Sequence, residues 1–385
     1  MPRDQSRKIR SEAKMDCETS IQLLQEILQI YSPSGKEQRL ATFLMDKLEK
    51  FGFNNVRTDK AGNIYGEMGL GTPTILLCGH MDTVPGWIPV KRENDWLCGR
   101  GAVDAKSSLA AMISASSGFK SIQKNGKLIV AGVVEEEKTA KGIRQLLLEK
   151  LNVDYAVFGE PSGVKNITFA YKGRIGLRIR CQTMSGHVGA QHLLGNAVEK
   201  AFELWSRIKT ECVKEKTTQG IFDSVTPCLI KISSQRTSGG IPDLCFSDVD
   251  LRLPPSVNTD MEVSLVEKVI EEFQAGNPDT YITFQVTDKV EPFVANKNTL
   301  LMKALGKAIM ETTGEQFRFL RKTGTGDMNI FGIEVKVPVA TYGPGDSSLS
   351  HTKNERINLS EYKGSIQVYR RTIEHLLEWH KHGNN

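Results

Sequence analysis

The chain has 385 residues, 39% of them hydrophobic and 25% charged, with a formal net charge of +5. That balance suits a soluble globular protein with room for two domains, and no run of about 18 apolar residues is present to span a membrane. Arg3, Arg7, Lys8, Arg10 and Lys14 against Asp4 and Glu12 place three of the five charges before residue 15. The remainder lacks the basic stripe with interleaved aromatics that nucleic-acid binding requires.

Residues 1–17 read as a disordered basic tail, and they lack the apolar stretch of a secretory signal, so a cytoplasmic protein is expected. The seven cysteines are odd in number and contain no Cys-x-x-Cys pair; they read as reduced, mostly buried thiols.

SIQLLQEILQIY at 20–31 has helical periodicity, SPSG at 32–35 breaks it, and Leu40, Phe43, Leu44 and Leu48 mark a second amphipathic helix. TILLCGH at 74–80 is a continuous apolar run of the kind buried on both faces of a sheet, and it ends on His80. SSLAAMISASSGF at 107–119 supplies a helix, while LIVAGVVEEE at 128–137 and YAVFGEP at 155–161 each carry an apolar strand straight into acids. Residues 70–165 therefore predict an alternating β/α unit, in which ligands gather at the carboxyl ends of the strands.

After Tyr171 the character changes. GRIGLRIRCQ at 173–182 alternates with period two; then come a helix through Ala197, Ala201, Leu204 and Ile208, strands near 226–235 and 243–253, a helix from about 260 to 274, and TYITFQV at 280–286. That order, βαββαβ, predicts a ferredoxin-like insert over 172–288. A helical run at 298–312, a short strand near 335–341, a Gly-rich loop to His351 and a terminal helix from about 360 complete the first domain. The expected fold class is α/β with two domains: a mixed-sheet α/β domain, 18–171 and 289–385, interrupted by the α+β insert. The closing WHKHGNN, with His380 and His382, reads as a frayed surface end.

Three separated stretches hold metal-type ligands: GHMDTV at 79–84, GRGAVDAK at 99–106 and VVEEEK at 133–138. Glu160 in FGEPSG and His351 in GPGDSSLSHTKNE extend the set. His80 and Asp82, at i and i+2 of an extended segment, point the same way, which suits a ligand and a carboxylate accepting its far ring proton. A core histidine followed by a turn aspartate is the plainer alternative. Asp104 lies in a glycine-flanked loop, either facing an ion or capping the helix that begins near Ser107. Glu135, Glu136 and Glu137 repel one another unless cations hold them; a solvated charge run is the alternative. Divalent zinc or cobalt takes imidazole and carboxylate ligands, and hydrolysis needs one further carboxylate off the ions to carry a proton. Gly324-Thr325-Gly326-Asp327 lacks the Gly-Lys-Ser/Thr ending of a phosphate loop and does not point to nucleotide binding.

With these residues in place, the chain from about residue 20 onward resembles the zinc-dependent aminoacylase and carboxypeptidase family that includes acetylornithine deacetylase and succinyl-diaminopimelate desuccinylase. The resemblance implies a metallohydrolase domain with a dimerisation (lid) insert and two divalent ions per subunit, Zn²⁺ or Co²⁺. On the matching positions, His80 and Glu160 hold one ion, Glu137 and His351 the other, and Asp104 lies between them. Glu136 matches the general base, and Asp82 the carboxylate that orients His80. His187, in TMSGHVGA, matches a histidine of the insert that reaches a partner subunit's site to steady the oxyanion.

Within the family, GRGAVDAK, VVEEEK, GEPS followed by YKGRIG, VDLRLPP at 249–255, RKTGTGDMN at 321–329 and YGPGDSSLSHTKNE at 342–355 are most similar to hydrolases acting on an acidic amino-group carrier protein of the LysW type. Such enzymes release lysine or ornithine from the γ-carboxyl of the carrier's terminal glutamate. The likeness makes Arg252, Lys322 and Gly324 candidate substrate contacts, although Arg252 fits a structural arginine of a sheet equally well. Lys138 and Ser107 depart from the common family pattern, and neither is a proposed ligand. The expected partners are the acidic carrier and a second copy of the chain, with no nucleic acid and no membrane. A deacetylase for N-acetylornithine or N-acetyllysine and a non-catalytic scaffold are the alternative readings.

Overall fold

The computed structural model describes residues 15–117, 119, 125–190, 192–213, 220–235 and 240–383. Helices α1 (Cys17–Gln29) and α2 (Gln38–Lys50) precede strands β1 (Asn54–Thr58), β2 (Ile64–Leu70), β3 (Thr74–His80), β4 (Lys91–Glu93) and β5 (Trp96–Cys98). Next come α3 (Lys106–Ser116), β6 (Gly126–Val133), α4 (Lys141–Leu148), β7 (Tyr155–Gly159) and β8 (Asn166–Tyr171). β9 (Gly173–Gln182), α5 (Ala197–Val213), β10 (Thr226–Gln235), β11 (Leu244–Leu253), α6 (Thr259–Ala275), β12 (Tyr281–Val290) and β13 (Phe293–Val294) follow. The chain closes through α7 (Leu300–Thr313), β14 (Arg318–Lys322), α8 (Asp327–Glu334), β15 (Val339–Tyr342), β16 (Arg356–Asn358) and α9 (Leu359–Gly383).

Two compact units result. The first holds the chain up to Phe169, then Asn296–Leu320 and everything from Glu334; the second holds Ala170–Ala295 and Arg321–Ile333. The return of 321–333 to the second unit departs from the sequence boundaries, which left it in the first domain. Its cause is hydrogen bonding: the Asn329 amide donates to the carbonyls of Lys172 and Glu291, at 3.1 and 2.9 Å, and Lys172 N–H donates to the Lys322 carbonyl. Residues 1–14 of the expected tail lie outside the described residues, whereas Asp16 already caps α1, its carboxylate accepting Thr19 N–H at 2.7 Å. Such a cap contributes about 1 kcal/mol.

In the first unit the sheet runs β1-β2-β6-β3-β7-β15-β8. β6, β3, β7 and β15 are parallel, and β1, β2 and β8 pair antiparallel with their neighbours. β3 is buried at every residue, as expected for an apolar run covered on both faces. The register pairs His80 with Val133, Gly79 with Gly159, and Gly159 with Tyr342. Four strands therefore finish level along one edge, and the polar residues that follow them emerge side by side.

α3 is buried along its whole length, which its Ala- and Ser-rich sequence permits. Glycines of the first unit permit close approaches that a side chain would block. At Gly159 a Cβ would lie 2.9 Å from Ser108 Cβ, so glycine lets α3 press on the strand just before Glu160. At Gly142, which opens α4, a Cβ would meet Val134 N and O at 2.5 Å, because the Gly142 amide donates to the Val134 carbonyl. Gly142→Ala is expected to destabilise the fold by about 1–3 kcal/mol through overpacking, read as a lowered midpoint in thermal unfolding; an unchanged midpoint would contradict this approach of α4 to β6.

The second unit contains a four-stranded antiparallel sheet in the order β10-β11-β9-β12. α5 and α6 pack on it through Leu204, Ile208, Val266 and Phe273 against Ile175 and Leu251, giving the ferredoxin-like βαββαβ arrangement. Among the described residues no helix is long and apolar enough to cross a membrane. The expected frayed end at 379–385 is corrected in part: α9 continues to Gly383, and His380 Nδ1 lies 3.1 Å from the Tyr155 hydroxyl. The His382 side chain lies outside the described residues.

Candidate metal centre

The level strand ends bring together residues from five stretches of the first unit. His80 closes β3, Glu137 follows β6, Glu160 follows β7, Asp104 precedes α3, and His351 sits in the loop after β15. His80, Asp104 and Glu160 form one group, and Asp104, Glu137 and His351 a second, with the ligand atoms of each group within 4.8 Å of one another. Asp104 belongs to both: its Oδ1 is 3.5 Å from His80 Nε2 and its Oδ2 3.2 Å from His351 Nε2. Glu137 Oε1 stands 2.9 Å from His351 Nε2, and Glu160 Oε1 3.5 Å from His80 Nε2. His80 is buried, whereas His351 is half exposed and marks the open side of the cluster.

This donor set fits a pair of divalent ions. Among the described residues, the buried His80 Nε2 has no hydrogen-bond partner, although a neutral or charged ring nitrogen normally finds one. Donor atoms about 2.0–2.1 Å from a tetrahedral ion stand roughly 3.3–3.4 Å apart, close to the 3.5 Å separations around His80. Each group supplies one imidazole and two carboxylates with no thiolate, a set suited to zinc or cobalt.

The titration behaviour shows how strongly the cluster demands positive charge. Burial works against the charged form of His80, yet Asp104 and Asp82 raise its pKa well above the ordinary imidazole value. Hydrogen bonds to Asp104 and Glu137 push His351 up to about 10. Burial pushes Asp104 upward, but the two imidazoles outweigh it and hold that carboxyl well below the usual range. Burial raises Glu137. His351, held protonated up to about 10, therefore carries a proton near neutral pH that an incoming cation has to displace.

The acidic run resolves into three different environments. Glu135 has a positive φ of 54° and accepts from the Thr139 hydroxyl at 2.7 Å, Glu137 enters the cluster, and Glu136 lies half-buried between them. Side chains hold four consecutive amides of this turn. Val134 N–H donates to Asn63 Oδ1, Glu135 N–H to Glu37 Oε1, Glu136 N–H to Asp82 Oδ1 and Glu137 N–H to Asp82 Oδ2, at 3.0–3.1 Å. Ser34 Oγ also donates to Asp82 Oδ2 at 2.7 Å.

That arrangement gives Asp82 a second set of partners beside the expected one. His80 Nδ1 lies 2.9 Å from the Asp82 backbone carbonyl and 3.5 Å from its carboxylate. The Asp82 carboxylate thus faces His80 and also accepts the Glu136 and Glu137 amides. Asp104 is not a helix cap, since the cap position of α3 is Ala105 and carries no side-chain cap hydrogen bond. Asn63 and Glu37 escaped the sequence reading, because their partners lie 71 and 98 positions away. The only local signal is the SPSG turn just before Glu37.

The other four anticipated residues lie in the second unit. His187 is exposed, and its Nδ1 accepts the Gly189 amide at 3.1 Å, so a neutral ring carries its proton on Nε2. Arg252 donates from Nε to Asp250 Oδ1 at 2.6 Å, and Arg174 binds the other oxygen of that carboxylate at 2.5 Å. Arg252 therefore holds a sheet carboxylate through Nε, while its Nη1 lies 3.5 Å from the Thr325 hydroxyl beside Gly324. The Lys322 ammonium stands 6.0 Å from the Tyr171 ring centroid, and the space next to Gly324 is open.

The model of peptidase family M20/M25/M40 matches residues 76–375. A LysW-lysine hydrolase of Deinococcus radiodurans is 34% identical over 373 residues, covering 94% of this chain and 98% of that protein. A LysW-lysine/LysW-ornithine hydrolase of Sulfurisphaera tokodaii is 31% identical over 357 residues, covering 92% and 95%. Among solved structures, a tripeptidase of Staphylococcus aureus shares the fold, with a TM-score of 0.78 at 19% identity over 95% of this chain and 100% of that one. The matched span includes every residue of the two ligand groups, and the chain belongs to peptidase family M20/M25/M40 as a metal-dependent amide hydrolase.

Proposed function

We propose that this hydrolase releases lysine or ornithine from the terminal glutamate of an acidic LysW-type carrier protein. The observation that carries the reading is the pair of ligand groups joined by Asp104, in a chain whose relatives are named for hydrolysis of LysW-lysine and LysW-ornithine. His80 and Glu160 would hold one ion and Glu137 and His351 the other, with Asp104 able to serve either; imidazole and carboxylate donors favour Zn²⁺ or Co²⁺. When bound, such a pair polarises the amide carbonyl and lowers the pKa of water from about 15.7 towards about 7. Glu136 takes the proton of the attacking water and delivers it to the departing amine.

His187 of a second copy donates from Nε2 to the developing oxyanion, which its Gly189 contact favours. Met184, Val188 and Leu193, each more than half exposed near His187, support burial of that loop in a homodimer. Arg252, Lys322 and Gly324 are assigned to substrate contact, and the cytoplasm is the expected setting.

Side-by-side hydrolysis of lysine- and ornithine-loaded carrier and of N-acetylornithine tests the substrate. A higher kcat/KM on the carrier conjugates is expected; preference for the small acetylated amino acid would overturn the reading. Ion loading carries its own expectation. Because His351 is held protonated to about 10, Zn²⁺ binding near neutral pH releases protons. Affinity therefore rises with pH, roughly tenfold per unit for each proton displaced. Calorimetric titration in buffers of different ionisation enthalpy checks this, and binding without proton release would contradict it.

A further inference from the structure

We propose that Glu355 is a positioning residue that locks the loop of Asp104 onto the loop of His351 and so sets the geometry of the ion they share; this rests on the two-ion reading above. Glu355 is 1% exposed and stands four residues beyond His351. Its Oε1 accepts three backbone amides, those of Gly101, Val103 and Asp104, at 3.0, 2.9 and 3.0 Å. Its Oε2 accepts Arg100 Nη1 at 2.8 Å, and its own carbonyl accepts Gly99 N–H at 3.2 Å. Arg100 in turn donates from Nε to the Gly86 carbonyl at 3.0 Å.

A buried carboxylate is strongly unfavourable unless hydrogen-bonded and paired, and here both conditions are met. Its location matters more than its satisfaction. Asp104 has to present one oxygen to His80 and the other to His351, and its main chain lies in an irregular loop before α3. Outside the ligands themselves, Glu355 gives that loop a direct hold on the segment carrying His351. The adjoining strand pair, Arg356 with Cys98, continues the registration. Moving the three amides displaces Asp104 relative to His351 and, because Asp104 belongs to both groups, relative to His80 as well; the Asp104–Glu137–His351 group, whose two loops Glu355 ties together, is disturbed most.

Glu355→Asp keeps the charge and withdraws the acceptor by one methylene; Glu355→Gln keeps the length and removes the charge. Titration of each metal-free protein with Co²⁺, followed by calorimetry and visible absorption, separates positioning from bulk stability. The expected result in Glu355→Asp is a roughly 10–100-fold loss of affinity for the ion held with His351, with a smaller loss for the other. A changed cobalt spectrum and lower kcat at nearly constant KM should accompany it, with a smaller loss in Glu355→Gln. Two ions bound with wild-type affinity and spectrum in the folded Asp variant would overturn the proposal, even if its unfolding midpoint falls. Should that variant fail to fold, the same wild-type behaviour in Glu355→Gln overturns it. A wild type that binds no ion overturns the two-ion reading and this proposal together. A wild type that binds two ions but ignores carrier conjugates overturns only the substrate assignment, and the variants still decide the role of Glu355.

Discussion

Glu136→Gln is expected to load both ions with near-wild-type affinity and to hydrolyse its substrate about 10²–10⁴-fold more slowly, the usual loss when a general base is removed. Neither ligand group contains Glu136, and its amide is pinned to Asp82 Oδ1 at 3.0 Å whatever its side chain. Glutamine keeps the length and volume, so the backbone of Glu137 and the cluster beyond it remain in place. What disappears is an acceptor basic enough to take a proton from water and return it to the leaving nitrogen. Calorimetric ion binding and kcat on the same preparation decide the matter. Near-normal turnover would remove Glu136 from the reaction, and loss of an ion would make it a ligand instead.

Asp104→Asn is expected to weaken both ions, each by more than the roughly 10–100-fold that loss of an outer partner costs. Asp104 alone contributes to both groups, and it supplies the charge that faces two imidazoles. The contrast lies with Glu160→Gln and Glu137→Gln, each expected to weaken a single ion. Independent binding of the two ions in Asp104→Asn, with only one affected, would show that the carboxylate serves one group and merely neighbours the other.

The parts of the fold legible in the sequence are those where one physical requirement dominates. TILLCGH and LIVAGVV had to be covered on both faces, and their strands are buried almost throughout. The βαββαβ order of the insert followed from alternation in GRIGLRIRCQ and from helical spacing in α5. Elements without a dominant apolar pattern escaped. β1 is largely exposed, and α4 is eight residues long and buries Gly142, Ile143 and Leu146. Of the candidate site, the converging acids and imidazoles were readable because such residues at the ends of apolar runs have few packing reasons to be there. The residues that aim them were not. Glu355, Glu37 and Asn63 act on main-chain amides far away in the chain, and an amide carries no side-chain signature by which sequence could announce its partner.

Four successive amides of the Val134–Glu137 turn are already committed to fixed acceptors before any substrate arrives. A carboxylate on a loose, water-exposed loop has to drag its solvent and its own dipoles along when charge moves onto or off it. Here that rearrangement was completed when the chain folded, and a proton carried by Glu136 in its proposed role would meet surroundings that are already oriented for it.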